Sequence, residues 1–175
     1  MIQTITYKSP YGELVIGSYK DNLVLCDWKY RRMRESIDNR IKNYFSVEFI
    51  QESSEICELT ITQLEEYFKG TRKEFNIPIS MAGSAFQQEV WKELIKIPYG
   101  KTTSYLELSK KLNNPGAIRA IGSANGANAI AIIIPCHRVI GSDGDLTGYA
   151  GGLNTKKSLL KLENAPVVSS QQELF

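Results

Sequence analysis

Beyond residue 84 the hydrophobic period of this chain becomes almost purely helical, and that change divides it into two kinds of packing. Over residues 1–28 it is two: Ile2–Tyr7, Glu13–Ser18 and Leu23–Trp28 read as strands. Ser9-Pro10-Tyr11-Gly12 and Lys20-Asp21-Asn22 supply the turns of an antiparallel meander. Ile56, Leu59, Leu64, Tyr67 and Phe68 then follow helical spacing with Gly70 where a C-cap belongs, and Glu74–Ile79 is expected to add a strand. Residues 29–54 carry the cluster Arg31-Arg32-Met33-Arg34, read as a solvated face, and suggest no element. Ser80-Met81-Ala82-Gly83-Ser84 has the composition of a linker, and beyond it the period is almost purely helical. The expected domains are an α/β unit over 1–80, a mostly α unit over 84–165 and a flexible tail over 166–175.

Composition adds exclusions. With 42% hydrophobic and 23% charged residues in 175, the chain is an ordinary globular sequence. It has no secretory signal and no run of about 18 apolar residues, so a cytoplasmic protein with no membrane partner is expected. Cys26, Cys57 and Cys136 are odd in number and widely spaced, as reduced thiols would be. With a single histidine and no Cys-x-x-Cys pair, neither a metal nor another cofactor is expected. The net charge of +2 is unevenly placed: residues 1–83 hold 11 basic and 12 acidic side chains, residues 84–165 hold 10 and 6. The second half therefore points toward an anionic partner.

In that half, Phe86, Val90, Leu94 and Ile97 line a helical face that ends at Pro98-Tyr99-Gly100. Ser104-Tyr105-Leu106-Glu107 matches a capping box, predicting a helix from Tyr105 to Leu112. Asn114 as N-cap and Pro115 at the first helical position predict another reaching Asn125. The pair reads as a helix-turn-helix. Its second helix is written in small residues, Gly116, Ala117, Ala120, Gly122, Ser123 and Ala124, with one long cation, Arg119. Such a helix either packs tightly with an exposed arginine or presses on a DNA groove while Arg119 reaches in. Ala129–Ile134 reads as a short strand covered on both faces, stopped by Pro135. Cys136 follows, beside His137 and Arg138, in surroundings that favour thiolate. In an extended chain Cys136 and His137 point to opposite sides, so a bridging water is expected to link them. Asp143, Asp145 and Glu163 are the carboxylates that could orient the imidazole, and spacing does not choose among them. Gly148-Tyr149-Ala150-Gly151-Gly152 suggests a loop approaching a ligand, and Asn154–Glu163 a closing helix.

Pro135-Cys136-His137-Arg138-Val139 strongly resembles the active-site motif of the O6-alkylguanine-DNA alkyltransferases, the methylated-DNA:protein-cysteine methyltransferases. Ile97–Tyr105, Ala117–Gly122 and Gly148–Leu153 look like further blocks of that family, in order. The resemblance implies an N-terminal ribonuclease-H-like α/β domain and a C-terminal, mostly α domain with a helix-turn-helix. It implies irreversible transfer of an alkyl group from guanine O6 to Cys136, once per molecule, and leaves open whether O4-alkylthymine is also accepted. His137 and Glu163 would complete a water-linked relay, Tyr105 would donate a proton toward guanine N3, and Asn128 would brace the helix-turn-helix against the active-site loop. Arg119 would fill the gap left by a flipped nucleotide, with Ala117, Gly122, Ser123 and Tyr105 against the minor groove of duplex DNA. Tyr149, Ala150, Val139 and Pro135 would wall the pocket. Asn128 departs from many members in being followed by Ala129 rather than proline. A lesion-binding or regulatory protein that does not repair is the main alternative, and a Cys136–His137 hydrolase a second. A monomer is expected. Gln171, Leu174 and Phe175 are similar to the peptide with which bacterial DNA-processing proteins grip the replication sliding clamp, a second expected partner.

Overall fold

The computed structural model describes residues 1–166, and these fall into two compact units. Among the described residues the first comprises 1–84 together with 129–131, and the second 85–128 and 132–166. The tail motif Gln171, Leu174 and Phe175 lies outside the described residues.

The first unit is built on the meander. β1 (Ile2–Ser9), β2 (Gly12–Tyr19) and β3 (Asn22–Trp28) pair antiparallel, and β4 (Phe49–Gln51) adds in parallel to β1, giving the order β3-β2-β1-β4. Lys20 and Asp21 turn the second hairpin with left-handed backbone, as a two-residue loop requires. β3 is buried at every position from Leu23 to Trp28 because chain also covers its outer edge. Leu23 bridges Ile79, so the strand expected over Glu74–Ile79 shrinks to one bridge. Cys26 bridges Ile130: its N–H donates to the Ala129 carbonyl at 2.8 Å and its carbonyl accepts from Ala131 N–H at 2.7 Å. The apolar run Ala129–Ile134 is thus a strand only where it touches β3. Ile132 then adopts φ +72°, a left-handed conformation costly for a β-branched residue, and the chain turns away.

Residues 29–54, unassigned from sequence, form helix α1 (Arg34–Phe45) and β4. Ile37 and Ile41, one turn apart, are the only fully buried side chains of α1, too sparse a stripe to announce it. The arginine cluster is only partly solvated. Arg31 and Arg34 each place a guanidinium nitrogen 3.0 Å from the same Asp27 oxygen, and Asp27 is fully buried. Arg34 also pairs with Asp38 at 2.8 Å. Helix α2 (Glu55–Phe68) starts on Ser54, whose hydroxyl accepts from Cys57 N–H at 3.1 Å.

In the second unit, α3 (Ala85–Ile95) is pinned to α5 (Ile118–Gly126) by Trp91, whose indole N–H donates to the Ala124 carbonyl at 2.8 Å. Ser104 caps α4 (Tyr105–Lys111) as expected, accepting from Glu107 N–H at 3.0 Å. The next helix starts later than Asn114-Pro115 predicts: Ala117 is its N-cap and residues 114–117 form a turn closed by Ala117 N–H to Asn114 O. A two-residue parallel ladder joins β5 (Thr103–Ser104) to β6 (Val139–Ile140). Helix α6 (Leu153–Leu162) ends the unit.

Asp27 is the buried carboxylate on which Arg31 and Arg34 converge. Replacing it with alanine withdraws their common carboxylate and is expected to lower unfolding stability by about 3–5 kcal/mol, measured by urea denaturation of the whole chain.

Candidate active site

Pro135 cannot continue a ladder, and the residues after it wind into a single 3-10 turn, Cys136–Arg138, closed by Arg138 N–H to Pro135 O at 3.0 Å. This replaces the extended backbone expected at Cys136 and His137. Both stay buried, Cys136 at 5% exposure and His137 at 0%.

The turn rests on the end of α6. Glu163 is 2% exposed, and its Oε2 lies 2.7 Å from His137 Nε2. Arg138 grips the same carboxylate with both arms of its fork, Nε to Oε1 at 2.8 Å and Nη2 to Oε2 at 3.1 Å. Its Nη1 donates to the Ile97 carbonyl at 2.7 Å, and its guanidinium lies 5.8 Å from the Tyr99 ring centre. Gly100 N–H donates to Glu163 Oε1 at 3.3 Å. Gly100 has φ +77°, and a Cβ there would stand 2.9 Å from the Glu163 carbonyl, so glycine is required. Of the three carboxylates left open by spacing, only Glu163 reaches the imidazole. Asp143 and Asp145 are exposed in the following loop, where Asp143 accepts from Asp145 N–H at 3.0 Å.

The geometry sets the tautomer. An ionised carboxylate only accepts, so Nε2 carries the proton and Nδ1 the lone pair. Nδ1 is buried with no hydrogen-bond partner among the described residues. Burial lowers the His137 pKa; the Glu163 carboxylate opposes this, while Arg138 and Lys156 reinforce it. Burial by itself raises the Glu163 carboxyl, but the hydrogen bonds and charges of His137 and Arg138 outweigh it and hold it at about 2. At neutral pH the site thus holds a neutral imidazole with a bare Nδ1, an anion and a guanidinium.

The other expected residues are distributed around this turn and along α4 and α5. Asn128 Nδ2 donates to the Ile134 carbonyl at 2.9 Å, holding the chain before Pro135 against the end of α5. Tyr105, at the start of α4, and Gly122, on α5, line an open cavity of about 400 Å³ with Ile118, Asn125, Gly126 and the loop residues Thr147 and Gly148. Arg119 and Ser123 are exposed on α5; Ala117 lies at its N-cap, outside the helix proper. Tyr149 and Ala150 are half-buried, with the Tyr149 ring edge-on to His137 at 6.5 Å between centres. Val139 departs from its expected place: it is 0% exposed, its backbone belongs to β6, and it offers no surface to a ligand. Pro135 is likewise buried and does not line the cavity. Among the described residues no group of three His, Cys, Asp or Glu side chains could hold a metal.

Comparison with known proteins places the chain in a family. The ribonuclease-like domain of the 6-O-methylguanine DNA methyltransferases matches residues 2–81, and their DNA binding domain matches residues 85–165. The methylated-DNA–protein-cysteine methyltransferase of Mycobacterium leprae is 43% identical over 173 residues, 97% of each chain. That of Mycolicibacterium paratuberculosis is 54% identical over 166 residues, 93% of each. The chain belongs to the methylated-DNA–protein-cysteine methyltransferase family. Among solved structures, that of Mycobacterium tuberculosis OGT in complex with DNA is 40% identical with a TM-score of 0.79, covering 94% of this chain and 95% of that one.

Sequence reasoning about this family member passed over two site residues. Arg138 was read only as a cation beside the thiol, yet it organises the carboxylate. Lys156 is fully buried and donates to the Val139 carbonyl at 2.7 Å and the Thr147 carbonyl at 2.9 Å, tying the loop on both sides. Burial brings its pKa down to about 8, with Cys136 pulling the other way. A signal existed: Lys156, Leu159, Leu160 and Glu163 share one helical face.

His137 is the only histidine in the chain, which makes its titration separable. Its folded pKa is lowered, so below about pH 6.5 the unfolded chain binds a proton that the folded chain refuses, and stability rises with pH there. The expected slope reaches at most about 1.4 kcal/mol per pH unit, and His137→Asn should flatten it in urea unfolding between pH 7 and pH 5.5. The contribution of Glu163, lowered to about 2, is lost only as pH falls from about 4.5 through that value.

Proposed function

We propose that the chain repairs DNA by taking the alkyl group of O6-alkylguanine onto Cys136, once per molecule, working as a cytoplasmic monomer on duplex DNA. The observation that carries this reading is the buried turn Cys136–Arg138 with its His137–Glu163 contact, whose Cys136 carbonyl contacts Asn125 in the wall of the cavity that Tyr105 also lines. Family membership and the geometry of the turn support the same chemistry.

In this mechanism His137 Nδ1 removes the thiol proton through a water, and Glu163 stabilises the resulting imidazolium. The sulfur lone pair forms the new S–C bond while the bond from carbon to O6 breaks, its electrons passing into the purine. Tyr105 donates a proton at guanine N3, so guanine leaves neutral rather than as an anion. Uptake at His137 and delivery at Tyr105 balance. The thioether has no route back to thiol, which makes the protein a reagent consumed by one event.

A sulfur this buried cannot reach an O6 substituent inside a stacked duplex, so the nucleotide must be flipped out. The exposed Arg119 on a helix of small residues suits the space that the nucleotide leaves, and close approach by such a helix suits the minor groove. Cys136 is what a lesion-binding protein without repair would not need. A cysteine hydrolase would leave Arg119 and Tyr105 without roles.

Intact mass measurement after incubation with an oligonucleotide bearing O6-methylguanine is expected to show one added methyl per molecule, absent in Cys136→Ala. Recovery of unmodified protein beside repaired DNA would sink the proposal. Arg119→Ala is expected to slow transfer from duplex DNA by about tenfold, equivalent to roughly 1.4 kcal/mol of assistance to flipping, in single-turnover measurements.

A further inference from the structure

We propose that Asn125 and Thr147 are positioning residues that fill the acceptor side of the Tyr105 hydroxyl and so leave its proton for the substrate. The inference rests on the reading of Tyr105 as proton donor to the extruded base.

Three observations lead to it. Asn125 is 6% exposed on α5, in the wall of the cavity, and its Nδ2 stands 3.5 Å from the Cys136 carbonyl and 3.5 Å from Tyr105 Oη. Thr147, from the loop opposite, places its hydroxyl 3.3 Å from the same phenolic oxygen as a donor. Tyr105 Oη accepts in both contacts, and among the described residues no acceptor takes its proton.

The orientation of the Asn125 amide is decided by its surroundings. A carbonyl oxygen can only accept, so the Cys136 carbonyl requires the amide nitrogen to face it. The opposite orientation would set two carbonyl oxygens against each other. Oδ1 is left buried without a partner as a consequence. Leaving a buried acceptor unpaired is costly, and the amide keeps this arrangement because its nitrogen serves two acceptors at once.

A phenol oxygen has one proton and room for about two incoming hydrogen bonds. With both acceptor positions occupied by Nδ2 and by Thr147 Oγ1, the proton is excluded from protein partners and projects into the cavity. The contacts are long, as catalytic hydrogen bonds commonly are before substrate binds, and a base that accepts at N3 would draw the phenol and its two donors together. The same Nδ2 joins the proton donor to the backbone of the acceptor cysteine, so the atom that receives the alkyl group and the atom that protonates the leaving base are held by one amide.

The test is a double-mutant series read by single-turnover methyl transfer from an O6-methylguanine duplex. Asn125→Asp keeps the shape but turns the donor into an acceptor that captures the phenolic proton, and is expected to slow transfer by about tenfold or more. Thr147→Val removes the second donor and is expected to slow it a few-fold, about two to five. In a Tyr105→Phe background both substitutions are expected to lose their effect, because the group they orient is gone. A merely structural role would persist in that background. Transfer by Asn125→Asp within about twofold of wild type, or equal slowing with and without the Tyr105 hydroxyl, overturns the inference while leaving the proposed function intact. Failure of the wild-type chain to gain a methyl would instead overturn the function itself.

Discussion

The carboxylate of Glu163 holds the second unit's chemistry together. Four donors converge on it: His137 Nε2, Arg138 Nε and Nη2, and Gly100 N–H. A buried anion is tolerable only when paired and fully hydrogen-bonded, and this one is both. Its demands propagate outward. It sets the imidazole tautomer, it accepts from the Gly100 N–H, and it places the turn that holds Cys136 on the end of α6. Withdrawing the carboxylate would strand a guanidinium and an imidazole in the same interior.

Around this centre the backbone of the reactive segment is tied at several points. Asn128 takes the Ile134 carbonyl, Asn125 the Cys136 carbonyl, and Lys156 the carbonyls of Val139 and Thr147. Each tie satisfies a carbonyl that a strand would otherwise have paired. The segment can therefore leave regular structure at Ile132 with these four carbonyls still paired. A thiol placed this way is held by the ties on its backbone neighbours.

The first unit obeys the same rule with different chemistry. Asp27, buried at the end of β3, is matched by Arg31 and Arg34, and the edge of β3 is matched by single bridges to Ile79 and Ile130. The second bridge brings residues 129–131, which follow α5 in the chain, into the N-terminal unit. The covalent path from the small-residue helix to Cys136 thus passes through the edge of β3.

By itself the sequence determined the meander, α2, the Ser104 cap and the identities of Cys136, His137 and Arg119, because period, capping residues and rare side chains are local facts. Its blocks also carried the family. It did not reveal α1, whose two buried isoleucines make too faint a stripe, nor the fate of Arg31 and Arg34, whose partner is a buried aspartate rather than water. It read Ala129–Ile134 as one strand, since nothing local announces that β3 offers pairing for only a few residues or that Ile132 turns left-handed. Spacing did not choose Glu163 over Asp143 and Asp145; the family resemblance pointed to it, and the fold supplies the physical reason, since packing of α6 closes the 26 residues of chain that separate it from His137. The roles of Arg138, Lys156 and Asn125 needed it for the same reason: a long polar side chain becomes part of a site when burial removes water and leaves one partner to satisfy, and that is decided by tertiary structure.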